Sequence, residues 1–140
     1  MEIEEIKKNK FWAGAVLFNP QTRQVLMQKR DAFAPVNPNK WALFGGGGEP
    51  GEDPLYCLVR ELKEELSVDI SPSAFTPLQD YLNERLATWR YTYVAEHRLE
   101  KSEMVLGEGE GFDWISFDEV LKLDLTENTR LDIEFFLRMK

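Results

Sequence analysis

Residues 46–68 read GGGEPGEDPLYCLVRELKEELSV, and this stretch predicts a glycine-rich loop that leads into an amphipathic helix. Asp53 is a suitable N-cap, and Pro54 suits the first helical position, where its missing N–H has no cost. An apolar stripe with spacings of three and four follows, formed by Leu55, Leu58, Leu62 and Leu66. We therefore predict an amphipathic helix that begins at Pro54.

Three carboxylates lie beside this stripe, those of Glu61, Glu64 and Glu65. At about 100° per residue they fall within an arc of roughly 100°, and each like-charged pair costs about a few tenths of a kcal/mol. Arg60 can pair with one of them, whereas a divalent cation would satisfy all three. Carboxylate ligands without His or Cys nearby suit Mg²⁺ or Mn²⁺ rather than Zn²⁺. A solvated helix face is the alternative interpretation of this segment taken by itself.

The glycines that precede the helix favour a ligand site over a solvated face. They stand at positions 45 to 48 and at position 51, where they permit positive φ and close approach of the backbone to a ligand. A glycine loop at a helix N-terminus can offer amide hydrogens to phosphate or carbonyl oxygens to a metal. The loop and the helix together therefore predict a site for a metal and a phosphate.

The stretch resembles the signature of the Nudix hydrolases: Gly, five residues, Glu, seven residues, Arg-Glu, an aliphatic, any residue, Glu-Glu, any residue, Gly, an aliphatic. The matching positions are Gly46, Glu52, Arg60, Glu61, Leu62, Glu64, Glu65 and Val68. Ser67 stands where the family has Gly. Because that residue normally ends the helix in a left-handed conformation, we expect Ser67 to cost up to about 1 kcal/mol or to shift the last turn.

The resemblance implies a single Nudix domain over residues 1–140 that hydrolyses a diphosphate linkage in a nucleoside diphosphate joined to another moiety. It implies Mg²⁺ as the cofactor, with Mn²⁺ as a substitute. The implied metal ligands are the Gly45 carbonyl and the carboxylates of Glu61, Glu64 and Glu65. Glu61 and Glu64 are also the implied catalytic glutamates.

Further residues complete the predicted site. Arg60 is a catalytic candidate that we expect to orient Glu61 rather than to meet the substrate. Gly46 and Glu52 are expected to support the site, Glu52 by bonding Arg60 or backbone amides. In the family, the loop that corresponds to 99–111 often adds one more carboxylate as a metal ligand or general base.

Two residues are candidates for that additional carboxylate, Glu108 and Glu110, with a slight preference for Glu110. A glutamate of the helix, acting through a metal-bound water, could be the base instead. A solvated flexible loop is the alternative interpretation of this acidic, glycine-rich segment.

Three residues are candidates for substrate contacts. Arg30 stands at a strand end and could reach a phosphate, although basic residues there are ordinarily solvated. Trp89 belongs to an aromatic strand face, where core packing and stacking on a nucleobase are both open. Trp41 leads into the glycine loop. His97 lies in a polar stretch without a second His or Cys, so we predict a surface residue rather than a ligand.

Composition narrows the range of partners. The formal net charge of −8 argues against binding to a nucleic-acid polymer or to an anionic membrane, and it would repel a polyphosphate unless metal ions and local cations reverse the field. The single Cys57 excludes an internal disulfide and fits a reducing compartment. Residues 1–10 lack the apolar core of a signal peptide, and no run approaches transmembrane length, so the cytoplasm is expected.

The remaining sequence indicates an α+β fold. Apolar runs and turn signals predict strands over 11–18, 23–30, 41–44, 75–82, 88–96 and 113–116, a brief helix over 119–123 and a last helix over 127–139. The resemblance implies that a mixed β-sheet lies between helices, as an α/β/α sandwich. The pattern alone does not give the order of the strands.

The substrate predicted from the resemblance is a small-molecule nucleotide, most specifically a (deoxy)nucleoside triphosphate that is cleaved with release of pyrophosphate. A nucleotide sugar or ADP-ribose is the alternative substrate. A Nudix domain that only binds nucleotides is the alternative function. Many relatives form homodimers, and the aromatic content would support one here.

Overall fold

Seven β-strands form one mixed sheet in this computed structural model, which describes residues 2, 5, 10–107 and 109–140. In chain order the strands are β1 Phe11–Asn19, β2 Gln24–Lys29, β3 Trp41–Ala42, β4 Phe44–Gly47, β5 Thr76–Asn83, β6 Thr88–Glu96 and β7 Gly111–Ser116. The α-helices with defined bounds are α1 Pro54–Leu66 and α2 Glu127–Arg138. No helix among the described residues is long and apolar enough to cross a membrane.

The strand order is β3-β2-β1-β6-β5, with β4 beside the first half of β1 and β7 beside β2. Strands β1 and β6 run parallel, and the other paired strands run antiparallel. The predicted hairpin of the first two strands is confirmed, with Phe18 opposite Val25. The parallel pair sets Trp12 opposite Arg90, so these two side chains leave the sheet on the same face.

Each face of the sheet packs against one helix. The α1 side is a buried cluster that includes Ala13, Leu17, Leu58 and Leu62. The α2 side is a second cluster that includes Val16, Phe18, Ile133 and Phe136. Because neighbouring residues of a strand point to opposite faces, β1 contributes to both clusters. The α/β/α sandwich with a mixed sheet between helices is confirmed.

Part of the glycine segment is strand rather than loop. The strand predicted over 41–44 divides into β3 and β4, and residues 45–47 belong to β4, which pairs with β1. A Cβ atom on Gly45 would overlap the backbone of Ala13 and Gly14. Glycine at position 45 therefore allows the two strands to approach closely.

The prediction that His97 is a surface residue is wrong, because the residue is only 6% exposed. Its backbone N–H donates to the Phe18 carbonyl at 2.8 Å, which extends the pairing of β1 with β6. The imidazole stacks on Trp114 with 5.9 Å between ring centroids, and its Nε2 lies 3.3 Å from the Met104 Sδ. These contacts come from residues beyond the polar stretch, so the local sequence did not reveal them.

We expect His97 to make the protein less stable at acidic pH. Burial lowers the pKa of His97 below its ordinary value, so the unfolded chain takes up a proton near pH 6.5 while the folded chain does not. The stabilisation that comes from burying neutral His97 is fully present above pH 6.5 and is lost as the pH falls toward the lower pKa of the folded state. The free energy of unfolding is measured in urea at pH 7.5 and at pH 5.5. His97→Gln should reduce the difference between these two values by up to about 1 kcal/mol relative to the wild type. An unchanged pH dependence would contradict this expectation.

Ser67 ends α1 in the left-handed conformation that the resemblance implies for glycine, with φ 57° and ψ 35°. Its backbone N–H donates to the Lys63 carbonyl at 3.0 Å, so the last turn closes normally. Of the two consequences expected for Ser at this position, the shifted turn is absent. The conformational cost is the one that remains.

Replacing Ser67 by Gly should therefore raise the free energy of unfolding by about 0.5–1 kcal/mol, because glycine adopts positive φ without steric cost. Urea unfolding monitored by circular dichroism measures the change. Ser102→Gly is the matched control, because Ser102 is exposed and is not among the described residues with positive φ. A Ser67→Gly variant no more stable than the wild type would show that the left-handed residue carries no measurable strain.

Candidate active site

An ion pair with two hydrogen bonds ties the loop before α1 to the helix. Arg60 Nε donates to Glu52 Oε2 and Arg60 Nη2 donates to Glu52 Oε1, both at 3.0 Å. Glu52 Oε1 also accepts the backbone N–H of Glu49 at 3.1 Å. The Arg60 hydrogen bonds, and secondarily the backbone bond, lower the pKa of Glu52 and keep it ionised. Glu52 thus makes both contacts that were expected of a supporting residue.

Arg60 also holds two of the predicted metal ligands. Its Nη1 donates to Glu61 Oε1 at 3.0 Å and lies 3.4 Å from Glu64 Oε1. The guanidinium therefore contacts three carboxylates at once, counting Glu52, and offsets the repulsion that their spacing on the helix predicts. This geometry supports an orienting role for Arg60 toward Glu61.

The Glu61 carboxylate packs against the backbone of β4. A Cβ atom on Gly46 would overlap that carboxylate, so only glycine leaves the space that the side chain occupies. The Glu61 side chain is 16% exposed, whereas that of Glu64 is 59% exposed. Gly46 and Arg60 together restrict where the Glu61 oxygens can lie.

Glu65 contacts the sheet and is only 5% exposed. Its Oε2 lies 3.4 Å from Gln28 Nε2, which also donates to the Leu43 carbonyl at 3.2 Å. Gln28 is itself buried on β2. A glutamine amide in this position can donate to Glu65 and to the backbone together, because its nitrogen carries two hydrogens.

The three glutamates are not gathered into a metal site in this conformation. In the part of the chain that the structure describes, no three Asp, Glu, His or Cys side chains lie in an arrangement that could hold a metal ion. Glu61 and Glu64 contact Arg60, while Glu65 contacts Gln28. The chemistry of the donor set nevertheless fits a hard divalent cation, since every donor is a carboxylate oxygen and no sulfur or imidazole is present among them.

Two adjacent cavities meet at Gln28, Arg30 and Gly45, which line both of them. The smaller cavity, of about 190 Å³, is also lined by Glu65, Asp31 and Gly109. The larger cavity, of about 720 Å³, extends between the sheet and the start of α2. A ligand in the larger cavity could therefore contact residues that also line the smaller cavity beside Glu65.

The larger cavity is more basic than the rest of the protein. Four basic side chains line it, those of Lys10, Arg30, Arg85 and Arg90. Two acidic side chains line it, those of Glu84 and Glu127. The whole chain, in contrast, carries 17 basic and 25 acidic residues. This cavity therefore concentrates positive charge in an otherwise acidic protein.

One wall of the larger cavity is a buried polar network on the α2 side of the sheet. Arg90 Nε donates to Asp132 Oδ2 at 2.8 Å, and the Arg90 guanidinium carbon lies 3.9 Å from the centroid of the Trp12 ring. Asp132 Oδ1 accepts from Tyr81 Oη at 3.0 Å and from Gln79 Nε2 at 2.9 Å. Burial, and secondarily the Asp132 charge, raises the pKa of Tyr81, which keeps its hydroxyl a donor.

The predicted substrate residues differ in where they lie. Arg30 lines both cavities, and its Nε donates to the Val36 carbonyl at 2.8 Å. Trp41 packs beside the α2-side core and is not among the residues that line either cavity. Trp89 packs on the α1 side of the sheet, away from the cavity wall that Trp12 and Arg90 form, and its Nε1 donates to Asp80.

Glu110, from the acidic loop, contacts Lys29. The Glu110 backbone N–H donates to the Lys29 carbonyl at 3.0 Å, and its carboxylate lies 3.5 Å from Lys29 Nζ. The neighbouring Gly109 lines the smaller cavity, so Glu110 is adjacent to it in the chain. Glu108, the other candidate, lies outside the described residues.

Cys57 lies beside the glutamates without being suited to nucleophilic chemistry. Its side chain is fully buried on α1. Burial, followed by the charges of Glu52 and Glu61, raises the pKa of the Cys57 thiol to about 12, so the thiolate is scarce at neutral pH. Cys57 is therefore not a candidate nucleophile in this region.

Known proteins resemble this chain in sequence and in fold. A family model described as NUDIX domain matches residues 9–135. The nucleoside triphosphatase NudI of Enterobacter sp. (strain 638) is 33% identical over 106 residues, covering 69% of this chain and 75% of the relative.

Two solved structures illustrate the likeness in fold. The MutT protein from Methanosarcina mazei Go1 superposes with a TM-score of 0.74 at 21% identity, covering 95% of this chain and 96% of that chain. A bifunctional NMN adenylyltransferase/ADP ribose pyrophosphatase from Francisella tularensis, in complex with AMP and a Mn ion, gives a TM-score of 0.73 at 21% identity. That match covers 95% of this chain and 42% of the larger protein.

Proposed function

The chain belongs to the Nudix hydrolase family, and from this membership we propose that it hydrolyses (deoxy)nucleoside triphosphates to nucleoside monophosphate and pyrophosphate. Nudix hydrolases cleave phosphoric anhydride bonds in nucleoside diphosphate derivatives and generally use a divalent metal. The triphosphate substrate and Mg²⁺ are the specific parts of the proposal. The NudI relative, named a nucleoside triphosphatase, supports the choice of substrate.

The observation that carries the proposal is the larger, basic cavity, which meets the smaller cavity lined by Glu65. Arg30 stands at the junction of the two cavities, where a phosphate that extends from the larger cavity would lie. The volume of about 720 Å³ is in the range that accommodates a small-molecule ligand. We assign the nucleoside to the larger cavity and the phosphates to the junction.

The carboxylates of Glu61, Glu64 and Glu65, together with the Gly45 carbonyl, would hold the metal in this proposal. A bound Mg²⁺, or Mn²⁺ as its substitute, would supply charge neutralisation of the phosphoryl oxygens and a more acidic water. Arg60 holds Glu61 in position against Gly46. Glu110 and the helix glutamates are the alternative bases that would accept the proton of the attacking water.

A substrate screen with separate detection of phosphate and pyrophosphate tests the proposal. The wild-type protein is incubated with each common ribo- and deoxynucleoside triphosphate, a nucleotide sugar and ADP-ribose, with Mg²⁺, with Mn²⁺ and with a chelator. We expect pyrophosphate and nucleoside monophosphate from triphosphates, and no product in the chelator.

Each other outcome of the screen rejects part of the proposal. Two monophosphate products from the sugar nucleotide or ADP-ribose, without triphosphate cleavage, would assign the protein to the alternative substrate class. No product from any of these nucleotides with either metal would reject the proposed hydrolysis and favour a domain that only binds nucleotides.

Two further expectations accompany the proposed function. The single Cys57 favours a reducing compartment, and we propose the cytoplasm as the site of action. Formation of a homodimer stays a prediction from the family resemblance, and the mass in solution, measured by light scattering, decides it.

A further inference from the structure

We propose that Arg90 reads the nucleobase and selects triphosphates whose base presents carbonyl acceptors over those that carry adenine. This inference rests on the proposed function, since it assigns specificity within the same cavity. It concerns the wall formed by Trp12, Arg90 and Asp132, which lies on the α2 side of the sheet.

Arg90 is held rigidly on two sides. Its side chain is only 10% exposed, and its Nε bond to Asp132 joins two residues from different layers of the fold. The Trp12 indole lies against its guanidinium, and a Cβ atom on Gly14 would overlap that indole. Glycine at position 14 therefore gives the indole room on the sheet, and the guanidinium stacks on it. A side chain positioned in this way loses little entropy when it binds a ligand.

Most of the hydrogen-bonding capacity of Arg90 is left for a ligand. An arginine carries five N–H donors, and the Nε–H of Arg90 is taken by Asp132. The Arg90 side chain also interacts with the Tyr81 hydroxyl, and it lines the larger cavity. Buried donors ordinarily have partners, so a ligand acceptor in the cavity is a natural partner for the Nη donors that Asp132 and Tyr81 do not use.

The neighbouring side chains suit Arg90 to donate hydrogen bonds to a neutral group rather than to bind an anion. Asp132 is completely buried and neutralises the Arg90 charge at 2.8 Å. Arg30, which lines both cavities, is in the better position for phosphate. The region around Arg90 therefore suits a neutral acceptor, such as a base carbonyl.

The donor fork of an arginine distinguishes bases by their edges. Guanine presents two neighbouring acceptors, O6 and N7, which match the fork, and the pyrimidines present carbonyl oxygens. Adenine sets an amino donor beside N7, and that donor would face the Arg90 donors. We expect guanine triphosphates to be the best substrates, pyrimidine triphosphates to be intermediate, and ATP to be the poorest.

The experiment compares kcat/KM for GTP, UTP, CTP, ATP and inorganic tripolyphosphate in the wild type and in Arg90→Lys. Lysine keeps the charge opposite Asp132 but lacks the planar fork. We expect the preference for GTP over ATP to fall by about tenfold or more, with tripolyphosphate cleavage changed less than about twofold. Arg98→Lys is the matched control, because Arg98 is half-exposed and pairs with Glu96.

Two outcomes would overturn the inference. An equal loss of kcat/KM for GTP and for tripolyphosphate in Arg90→Lys would identify Arg90 as a phosphate ligand. An unchanged preference for GTP over ATP would show that Arg90 does not recognise the base. If Arg90→Lys does not fold, Trp12→Phe serves as the second variant, because it removes the larger indole surface beneath the guanidinium. It should weaken the preference in the same direction, and a full retention of the preference would count against the proposal.

Base selection by Arg90 can be tested even if the protein does not hydrolyse triphosphates. Should the wild type hydrolyse no triphosphate, calorimetric titration of metal-free protein with guanosine monophosphate and with adenosine monophosphate still reports base selection. Tighter binding of the guanine nucleotide that disappears in Arg90→Lys supports the inference. Equal binding of the two nucleotides by the wild type rejects it independently of the reaction.

Discussion

Glu64→Gln is expected to lower the turnover of triphosphate by at least about 100-fold while leaving the fold intact. The change removes one negative charge from the proposed metal ligands, and catalysis of this kind depends on that charge. The Glu64 side chain is 59% exposed and lies 3.4 Å from Arg60 Nη1, an interaction of the class that contributes about 0–1 kcal/mol to stability. Turnover at saturating substrate and urea unfolding measure the two effects separately.

Glu119→Gln is the matched control for this variant. The Glu119 side chain is 61% exposed and pairs with Lys122 one helical turn away, as Glu64 pairs with Arg60. Glu119 is neither a proposed metal ligand nor a member of the ion-pair network around Arg60, so its change should leave turnover unaltered. Near wild-type turnover in Glu64→Gln would remove Glu64 from the proposed metal site. A large loss of stability would instead assign Glu64 a structural role.

Asp132→Asn should be the most destabilising conservative change in the described part of the molecule, with a loss of about 3 kcal/mol in the free energy of unfolding. All three side chains that bond Asp132 are donors, those of Gln79, Tyr81 and Arg90. An asparagine of the same shape has one acceptor oxygen, so its amide nitrogen would face a donor on the other side. The Arg90 charge would also lose its buried partner.

Urea unfolding of Asp132→Asn measures this loss. Asp124→Asn is the control, since the Asp124 side chain is 73% exposed and its ion pair with Lys40 is a surface contact. The control should change the free energy of unfolding by less than about 0.5 kcal/mol. A similar small change in Asp132→Asn would show that the network rearranges around the amide.

The positions of the proposed site residues on α1 were predictable because they depend on local sequence. Asp53 caps the helix, accepting the N–H groups of Leu55 and Tyr56, as its position before Pro54 predicts. The spacing of the glutamates on one helix requires no knowledge of the remaining fold. The burial of His97, in contrast, could not be read from its polar neighbours.

The cavity wall was not predictable for a related reason. The alternation along β6 marked the face of Trp89 as apolar and the face of Arg90 as polar, and a polar face is ordinarily assigned to solvent. In the structure that polar face is covered by α2, and Asp132 makes its burial tolerable. Gln28 was missed similarly, since a glutamine at a strand end carries no signal that it will contact Glu65.

The sequence by itself determined the α1 helix, its caps and the glutamates that it presents, because helix geometry and the spacing of residues 46–68 suffice for them. It also determined the departure at Ser67, which the structure shows to be an intact left-handed cap. Only the tertiary structure decided which cavities lie beside Glu65 and which side chains line them. The parallel pairing of β1 with β6 and the packing of α2 bring Trp12, Arg90 and Asp132 together, and contacts between residues so distant in the chain leave no local pattern.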